Sequence, residues 1–487
     1  MSSLKKQGYT AFIWDFAGKI ASNGAGFIIS IFLARLLAPE DFGLIAMIMV
    51  IVGISQVFTD IGLGAAIIQR RHIHEVHYSS VFYFNISIGT LLTVITFFSA
   101  PLLADFYNQE GLVILTQAIA FTFIINSFST IQVNKFRKEL NFRAITKVSF
   151  TSSVSSGIIG VLLAWYGAGI WSLVVQILLS KVIYTFLIWR LSTWKPILKF
   201  SFKALQQLWG FGFRMFLVGL LNAVFTRMDF IIMGKIFPAA TLGFFQRAKS
   251  LNGLVSQYSS GSLLSVLLPL LSKVQKDLPR LQNIVLKIFG IISFIVFLLL
   301  GGLYLVSQEL IVLLFGSKWL MSAGYFQILA LSGYVGPLSA VLMNVLSSRG
   351  KSKKFLRLEI YKRSLNILPL VVLFYYGIIA FLYTNVFTAF LAILLNISFV
   401  SKEIHIPALT FVRSLMVQIF ITVLSVVPVV YLNTSLEYGN FIMLLIKGFE
   451  FTFFYVMFNI LFRVKSFNYF MEEARPVLNK VLKRSKQ

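Results

Sequence analysis

The stretch LARLLAPEDFGLIAM, Leu33–Met47, places a charged, proline-containing segment between two long apolar runs. Arg35 stands near the end of the first run, and Pro39, Glu40 and Asp41 open the second. A cation suits the C-terminal end of a helix, whereas proline and acids suit the first turn. This order of residues predicts a hairpin in which one helix ends near Arg35 and the next begins near Pro39.

The composition around this hairpin is that of an integral membrane protein. Of the 487 residues, 58% are hydrophobic and 12% are charged, whereas a soluble domain has roughly 25% charged residues. The net charge of +26 would suggest nucleic acid in a soluble protein. Here the basic residues lie in short segments between apolar runs, as in the cytoplasmic loops of membrane proteins. We therefore expect no nucleic-acid partner.

The chain offers few ligands for a metal ion. It has no cysteine, which excludes disulfides and thiolate metal sites. His72, His74 and His77 lie in one polar loop but lack the i, i+4 spacing of a helical metal-binding pair. We expect a solvated loop here, with neither a metal site nor a cofactor.

The apolar runs are long enough to count membrane spans, since a spanning helix needs about 20 apolar residues. By this rule the sequence predicts an all-α integral membrane protein with about fourteen transmembrane helices. The predicted spans are 14–37, 42–68, 79–104, 111–133, 146–166, 168–190, 208–237, 240–270, 283–307, 321–347, 356–377, 379–400, 410–432 and 441–463.

Basic residues alternate between successive loops, which orients these spans. The N-terminus, the even-numbered loops and the C-terminal tail are basic, and the tenth loop, SSRGKSKKFLRLEIYKR, is the most basic. The odd-numbered loops are neutral or acidic, apart from Arg35 and Lys235 at helix ends. One span missed or added would destroy this alternation, so both termini are predicted to be cytoplasmic.

Two segments outside the spans have a predicted structure of their own. The stretch 466–487 is predicted to be either a basic amphipathic helix on the cytoplasmic surface or a partly disordered, solvated tail. The outward loop around Ser307–Gly324 is predicted to hold one short helix at the membrane surface.

The opening hairpin recurs 200 residues later. MGKIFPAATLGF, Met233–Phe244, aligns Lys235 with Arg35 and Gly243 with Gly43, a glycine that allows close packing. Each hairpin follows an odd-numbered helix, so both lie on the same side of the membrane, and the repeat is parallel. The predicted domains are a six-helix lobe over 1–200, a second over 201–404, two extra helices in 405–465, and the tail 466–487.

Several motifs resemble those of a known family. They are LARLLAPEDFGLIAM followed by QVFTDIGLGAAIIQR, NAVFTRMDFIIMGKIFPAATLGFFQRAKSL followed by PLLSKVQKD, and the later blocks LIVLLFGSKWLMSA and LMNVLSSRGKSKK. Together they resemble the Wzx-type O-antigen and exopolysaccharide flippases of the multidrug/oligosaccharidyl-lipid/polysaccharide exporter superfamily. The specific motifs run from about Gly18 to Lys354, and beyond them the likeness is mainly one of hydropathy.

This resemblance implies two lobes around a central cavity and a non-enzymatic function. The family moves undecaprenyl-diphosphate-linked oligosaccharide across the bacterial inner membrane by alternating access, with a cation gradient as the suspected energy source. The implied partners are this substrate, membrane lipids and other polysaccharide assembly proteins.

Two alternative functions stay open at this point. A multidrug/cation antiporter of the same superfamily would usually have twelve helices and more acids than bases in its cavity. A polysaccharide polymerase or ligase would need a large outward loop, which this sequence lacks.

A diphosphate head group favours a path lined by arginine and lysine. An isolated cation in the membrane core costs about 2.5–3.5 kcal/mol, which makes each deep cation a candidate. Lys181 lies about 20 Å from the start of its predicted helix and about 13 Å from the end, too deep to reach the surface easily. For the others, an extended side chain reaching the interface is the competing explanation. These other substrate-path candidates are Arg214, Lys19, Arg227, Arg247 and Lys249.

Three acids within the predicted spans are candidates for coupling to a cation. Asp229 lies in RMDFIIMGK and matches a recurrent acid of the family, with a role in lobe packing or coupling. It is two residues from Arg227, so the two side chains should point to different sides of the helix. Asp60, before IGLG, either ends a helical segment or carries a proton, and Asp15 is the third candidate.

Overall fold

The computed structural model is helical throughout, with no strand in the residues it describes. The backbone is described for residues 2–70, 72–434 and 438–484, and the side chains for the same residues except 2–13, 15, 16, 19, 254–266, 352 and 477–484. The helices are α1 (Ser2–Leu36), α2 (Pro39–Phe58), α3 (Leu63–Gln69), α4 (Glu75–Tyr107), α5 (Leu112–Lys138), α6 (Phe142–Trp165), α7 (Trp171–Leu191), α8 (Phe202–Ile236), α9 (Ala239–Lys273), α10 (Leu278–Leu305), α11 (Ser307–Phe315), α12 (Leu320–Ala330), α13 (Val335–Ser348), α14 (Ser352–Leu365), α15 (Ile367–Ile404), α16 (Ala408–Leu432), α17 (Asn440–Leu461) and α18 (Lys465–Arg484).

The chain divides into two compact units, Met1–Gly243 and Phe244–Gln487. The first unit contains α1 to α8 and the first turn of α9. The second contains the rest of α9 and α10 to α18. Because α8 belongs with the seven helices before it, these units differ from the six-helix lobes, which stay a prediction.

Both hairpins of the repeat are formed where the sequence predicts them. α1 ends at Leu36 and α2 begins at Pro39, where the missing amide hydrogen costs no helical bond. The amide before Pro39 donates to Oδ2 of Asp41 at 2.9 Å, which holds the turn. α8 ends at Ile236 and α9 begins at Ala239. Each helix end therefore recurs after 200 residues, as the alignment of the two hairpins requires.

The predicted second helix is wrong in one respect, because it is broken into α2 and α3. Between them Ile61 and Gly62 have φ angles of +40° and +69°, in the left-handed region that interrupts a helix. A Cβ atom at Gly62 would overlap the carbonyl oxygen of Gly212 in α8. Glycine is therefore needed at this break both for its backbone angle and for the close approach of α8.

Eleven candidate membrane spans are found in the described residues, so the predicted total of fourteen is not confirmed by this count. One of the eleven, Lys353–Ile404, has 52 residues. A continuous helix of that length would extend about 78 Å, far beyond a hydrocarbon core of about 30 Å. Gly377 interrupts it with a φ of +82°, at the boundary between the predicted spans 356–377 and 379–400. α1 contributes only a shorter apolar helix, Ile20–Leu36.

The two extra C-terminal helices of the prediction, α16 and α17, pack on α10, and buried polar contacts join α17 to α10 and α16 to α17. The hydroxyl of Tyr455 in α17 donates to the carbonyl of Phe294 in α10 at 3.0 Å. Nε2 of Gln418 in α16 donates to Oδ1 of Asn459 in α17 at 3.1 Å. These contacts pair polar groups that would otherwise be costly to bury in an apolar core.

The predicted helix in the C-terminal tail is confirmed as α18, which docks on α10. Lys287 of α10 pairs with Glu472 at 3.2 Å and with Glu473 at 2.8 Å. The rings of Phe467 and Phe294 pack edge to face, with centroids 5.3 Å apart. α11 likewise confirms the short helix predicted between the ninth and tenth spans.

Candidate functional site

Lys181 occupies the middle of α7. It lies ten residues after Trp171 and ten before Leu191, so its Cα is about 15 Å from either end of the helix. α7 packs on α5 and α6, and the Lys181 side chain is half-buried. Among the described residues no hydrogen-bond or ion-pair partner contacts its ammonium group. A cation at this depth with no neutralising carboxylate favours an anionic ligand over an internal structural role.

Arg214 lies in α8, twelve residues from its start at Phe202, and its side chain is exposed. No partner for its guanidinium is found in the described part of the chain. The structure therefore leaves Arg214 free to contact a ligand, about 18 Å from the start of α8.

Arg227 is held by α2, unlike Arg214 in the same helix. Its Nη1 donates to the carbonyl oxygen of Met49 at 2.7 Å. Its guanidinium fills the space that a side chain at Gly53 would occupy. The geometry thus gives Arg227 a packing role between α2 and α8.

Asp229, two residues further along α8, is half-buried. Its Oδ1 accepts a hydrogen bond from the amide of Phe230 at 3.0 Å.

Asp60 lies in the break between α2 and α3 and caps the second of these helices. Its Oδ1 accepts from the amide of Gly64 at 2.9 Å, and its carbonyl accepts from the amide of Leu63 at 2.8 Å. Such a cap satisfies amides that have no partner within the helix. This geometry agrees with the structural alternative that the sequence left open for Asp60.

Arg247 and Lys249 lie near the start of α9, in the second unit. Arg247 is 7% exposed, and its guanidinium lies 4.8 Å from the ring centre of Phe315 and 5.2 Å from that of Trp319. The ammonium of Lys249 lies 5.5 Å from the ring centre of Phe245. These cation–π contacts explain how the cations are accommodated without reaching the interface. They give Arg247 in particular a role in holding α9 on α11.

The side chains of two candidates, Lys19 and Asp15, lie outside the described residues.

The prediction of a solvated histidine loop needs correction, because this loop is only partly exposed. His72 and His74 are exposed, but His77 is buried, and its Nε2 lies 3.1 Å from Oε1 of Gln207. This contact joins the start of α4 to α8.

A cluster that sequence reasoning missed surrounds Glu403. Arg349, Lys351 and Lys354 lie 3.0, 3.6 and 2.6 Å from its carboxylate oxygens. The Glu403 side chain is 4% exposed, and three cations around one carboxylate leave a net charge of +2. The three cations belong to the tenth predicted loop, SSRGKSKKFLRLEIYKR, whose charge indicates only the orientation of the membrane spans. Glu403, the acid around which these cations lie, is 49 residues from Lys354 in the sequence.

The chain matches a sequence family described as "Polysaccharide biosynthesis protein" over residues 32–324. It is 28% identical over 301 residues to the teichuronic acid biosynthesis protein TuaB of Bacillus subtilis (strain 168). That alignment covers 61% of this chain and 62% of TuaB.

A second relative and a solved structure extend this likeness. The succinoglycan biosynthesis transport protein ExoT of Rhizobium meliloti (strain 1021) is 23% identical over 68% of this chain and 67% of its own length. The fold is similar to that of the lipid II flippase MurJ in an inward closed conformation, with a TM-score of 0.73 and 15% identity. That superposition covers 92% of this chain and 99% of MurJ.

Proposed function

Because this chain belongs to the polysaccharide biosynthesis protein family, we propose that it is a flippase for lipid-linked oligosaccharide. Its substrate is an undecaprenyl-diphosphate-linked repeat unit of a cell-envelope polysaccharide. The chain carries this unit from the cytoplasmic to the outer leaflet by alternating access, and it catalyses no covalent step.

The names of its relatives support the substrate class. TuaB acts in the biosynthesis of teichuronic acid, and ExoT in transport during succinoglycan biosynthesis. The MurJ structure is that of a lipid II flippase. A lipid-linked repeat unit is the substrate that we propose for this chain.

The observation that carries the proposal within the chain itself is the ammonium of Lys181 at the middle of α7. It has no described partner, and a diphosphate offers the acceptor oxygens and the negative charge that it lacks. Arg214, exposed and also without a described partner, is the second proposed contact. Lys19 remains a proposed third, whereas Arg227 and Arg247 position helices instead.

Energy for transport is proposed to come from a cation gradient. Asp229 is the proposed coupling acid, because it is a half-buried carboxylate within a candidate membrane span. Asp15 is proposed as an alternative. Asp60 is not preferred, since its carboxylate is already used as a helix cap.

The chain is a multi-pass membrane protein, and we place it in the bacterial inner membrane with both termini in the cytoplasm. The positive charges of the alternate loops support this orientation. A reporter fused after Lys351 should be active only in the cytoplasm. Activity of that fusion outside the cytoplasm would overturn the proposed orientation.

Deletion of the gene tests the proposed function. A strain without the flippase should accumulate complete lipid-linked repeat units on the cytoplasmic leaflet and export no polymer. Accumulation of single units on the outer leaflet would indicate a polymerase, and unchanged lipid-linked sugars would exclude both functions.

A further inference from the structure

The segment between α7 and α8, residues 192–203, exposes large apolar side chains. Residues 192–201 are irregular in structure, and the last two residues of the segment open α8. The side chains of Leu198, Phe202 and Phe200 are 95%, 73% and 57% exposed. Single exposed apolar residues are common in proteins, but a group of large ones marks a surface that a partner or a membrane covers.

The helices at both ends of the 192–203 segment determine where it lies. α7 and α8 are both candidate membrane spans, the first ending at Leu191 and the second beginning at Phe202. The 21 residues of α7 extend about 31 Å, close to the thickness of a hydrocarbon core, about 30 Å. Because α7 is only just long enough to span, its end lies at the edge of the core. The segment that follows is therefore at the boundary between acyl chains and head groups.

Contacts with α4 hold the 192–203 segment in place. The amide of Ile197 donates to Oγ of Ser79 at 3.0 Å. The amide of Ser201 donates to Oγ of Ser80 at 2.8 Å, and the indole ring of Trp194 is buried. These hydrogen bonds satisfy backbone amides that are costly to leave unpaired beside lipid. The exposed apolar side chains thus project from a fixed backbone.

Three lysines alternate with these apolar side chains. Lys195, Lys199 and Lys203 are exposed, and no described residue forms an ion pair or a hydrogen bond with their ammonium groups. Residues 192–203 contain no acid, so the segment carries a charge of +3. Water alone would suit the lysines but not the apolar groups. The surface of an anionic bilayer suits both, because phosphates lie directly above the acyl chains and lysine side chains are long enough to reach them.

We propose that the 192–203 segment binds the anionic phospholipids of the leaflet at which α7 ends. Leu198, Phe200 and Phe202 enter the upper part of the acyl region, and the three lysines contact lipid phosphates. The partner is a lipid surface and not the transported unit. The inference therefore goes beyond the proposed function and does not rest on it.

The absence of cysteine from the chain allows a label at a single introduced site. Leu198→Cys in the full-length protein is labelled with bimane, a polarity-sensitive fluorophore, in nanodiscs of phosphatidylcholine and phosphatidylglycerol. Quenching by a phospholipid with a nitroxide high on its acyl chain is compared with quenching by aqueous iodide. His72→Cys, at an exposed residue of the polar loop before α4, is the control.

The label at Leu198→Cys should emit at shorter wavelength than the control, and the lipid nitroxide should quench it more than iodide does. The label at His72→Cys should show the reverse order. Stronger quenching of Leu198→Cys by iodide would show that the segment is solvated. Protection from both quenchers would show that a protein surface, another chain or a second copy, covers it. Either result would overturn the inference.

The preference for anionic lipid is tested by combining Lys195→Gln, Lys199→Gln and Lys203→Gln with the label at Leu198→Cys. One lysine beside an anionic surface favours the bound position about fivefold. Lipid quenching should therefore rise with the fraction of phosphatidylglycerol, and the three substitutions should abolish this rise. In phosphatidylcholine alone the two proteins should be quenched equally, which is the internal control. An equal rise in both proteins would overturn the binding of anionic head groups.

Discussion

Gly43 lies against the carbonyl oxygen of Ala239, so closely that a Cβ atom at Gly43 would overlap it. The contact is reciprocal, because a Cβ atom at Gly243 would overlap the carbonyl oxygen of Pro39. Both pairs are related by the 200-residue offset of the repeat. The two hairpins therefore contact each other through equivalent positions at their second helices.

This contact predicts that alanine at either glycine destabilises the protein. Gly43→Ala and Gly243→Ala should each cost about 1–3 kcal/mol by overpacking, and lower the melting temperature of the detergent-purified protein. Gly24→Ala is the control, since its added Cβ meets nothing within 4 Å. Equal melting temperatures for all three variants would show that the hairpin contact is not tight.

Lys181 is predicted to act on the substrate. Lys181→Ala should lower polysaccharide export about tenfold or more at equal expression, because a charge-assisted contact is worth about 1.5–3 kcal/mol. Lys181→Arg should restore part of the export. Arg190, an exposed cation in the last turn of the same helix, provides the control variant Arg190→Ala. Equal export by the two alanine variants would remove Lys181 from the substrate path.

Substitutions of Arg227 and Arg214 are predicted to have different effects on stability and export, although both residues lie in α8. Arg227→Met removes a charge-assisted hydrogen bond to the carbonyl of Met49 and should cost about 1.5–3 kcal/mol of stability. Arg214→Met should keep the wild-type melting temperature and reduce export. Melting curves and export are compared at matched expression, and an unstable Arg214→Met beside a stable Arg227→Met would reverse both assignments.

The role of Asp60 is predicted to require only a side-chain oxygen that accepts a hydrogen bond, and not an ionisable group. Asp60→Asn retains the cap of α3 and should export normally, whereas Asp60→Ala should lose about 0.5–2 kcal/mol of stability. Asp229→Asn, measured beside them, should reduce export without loss of stability. Export lost in Asp60→Asn at normal stability would make Asp60 a coupling residue.

Sequence reasoning found the features that depend on local composition. The hairpin ends at Leu36 and Pro39, their repetition at Ile236 and Ala239, and the turn at Gly377 all follow from charge, proline and glycine patterns. The break at Ile61 is only one of two alternatives that the sequence offers at Asp60, because an isoleucine with a positive φ leaves no signal in the sequence.

The roles of the deep cations could not be predicted in the same way. Arg227 and Arg214 look alike in the sequence, but only Arg227 lies opposite the space left by Gly53, 174 residues earlier. Arg247 is stabilised by Phe315 and Trp319, which are also distant in the chain. Tertiary contacts, not the cost of burying a charge, separate the packing cations from those free to bind a ligand.

The central claim is that this chain moves a lipid-linked repeat unit between leaflets. It is tested most directly in spheroplasts of a strain whose polymerase is blocked, so that single units remain on their lipid. Membrane-impermeant periodate added outside oxidises the sugars of the outer leaflet only. With the wild-type chain most of the lipid-linked units should be oxidised, and without the chain, or with Lys181→Ala, most should be protected. Equal oxidation with and without the chain would contradict the claim.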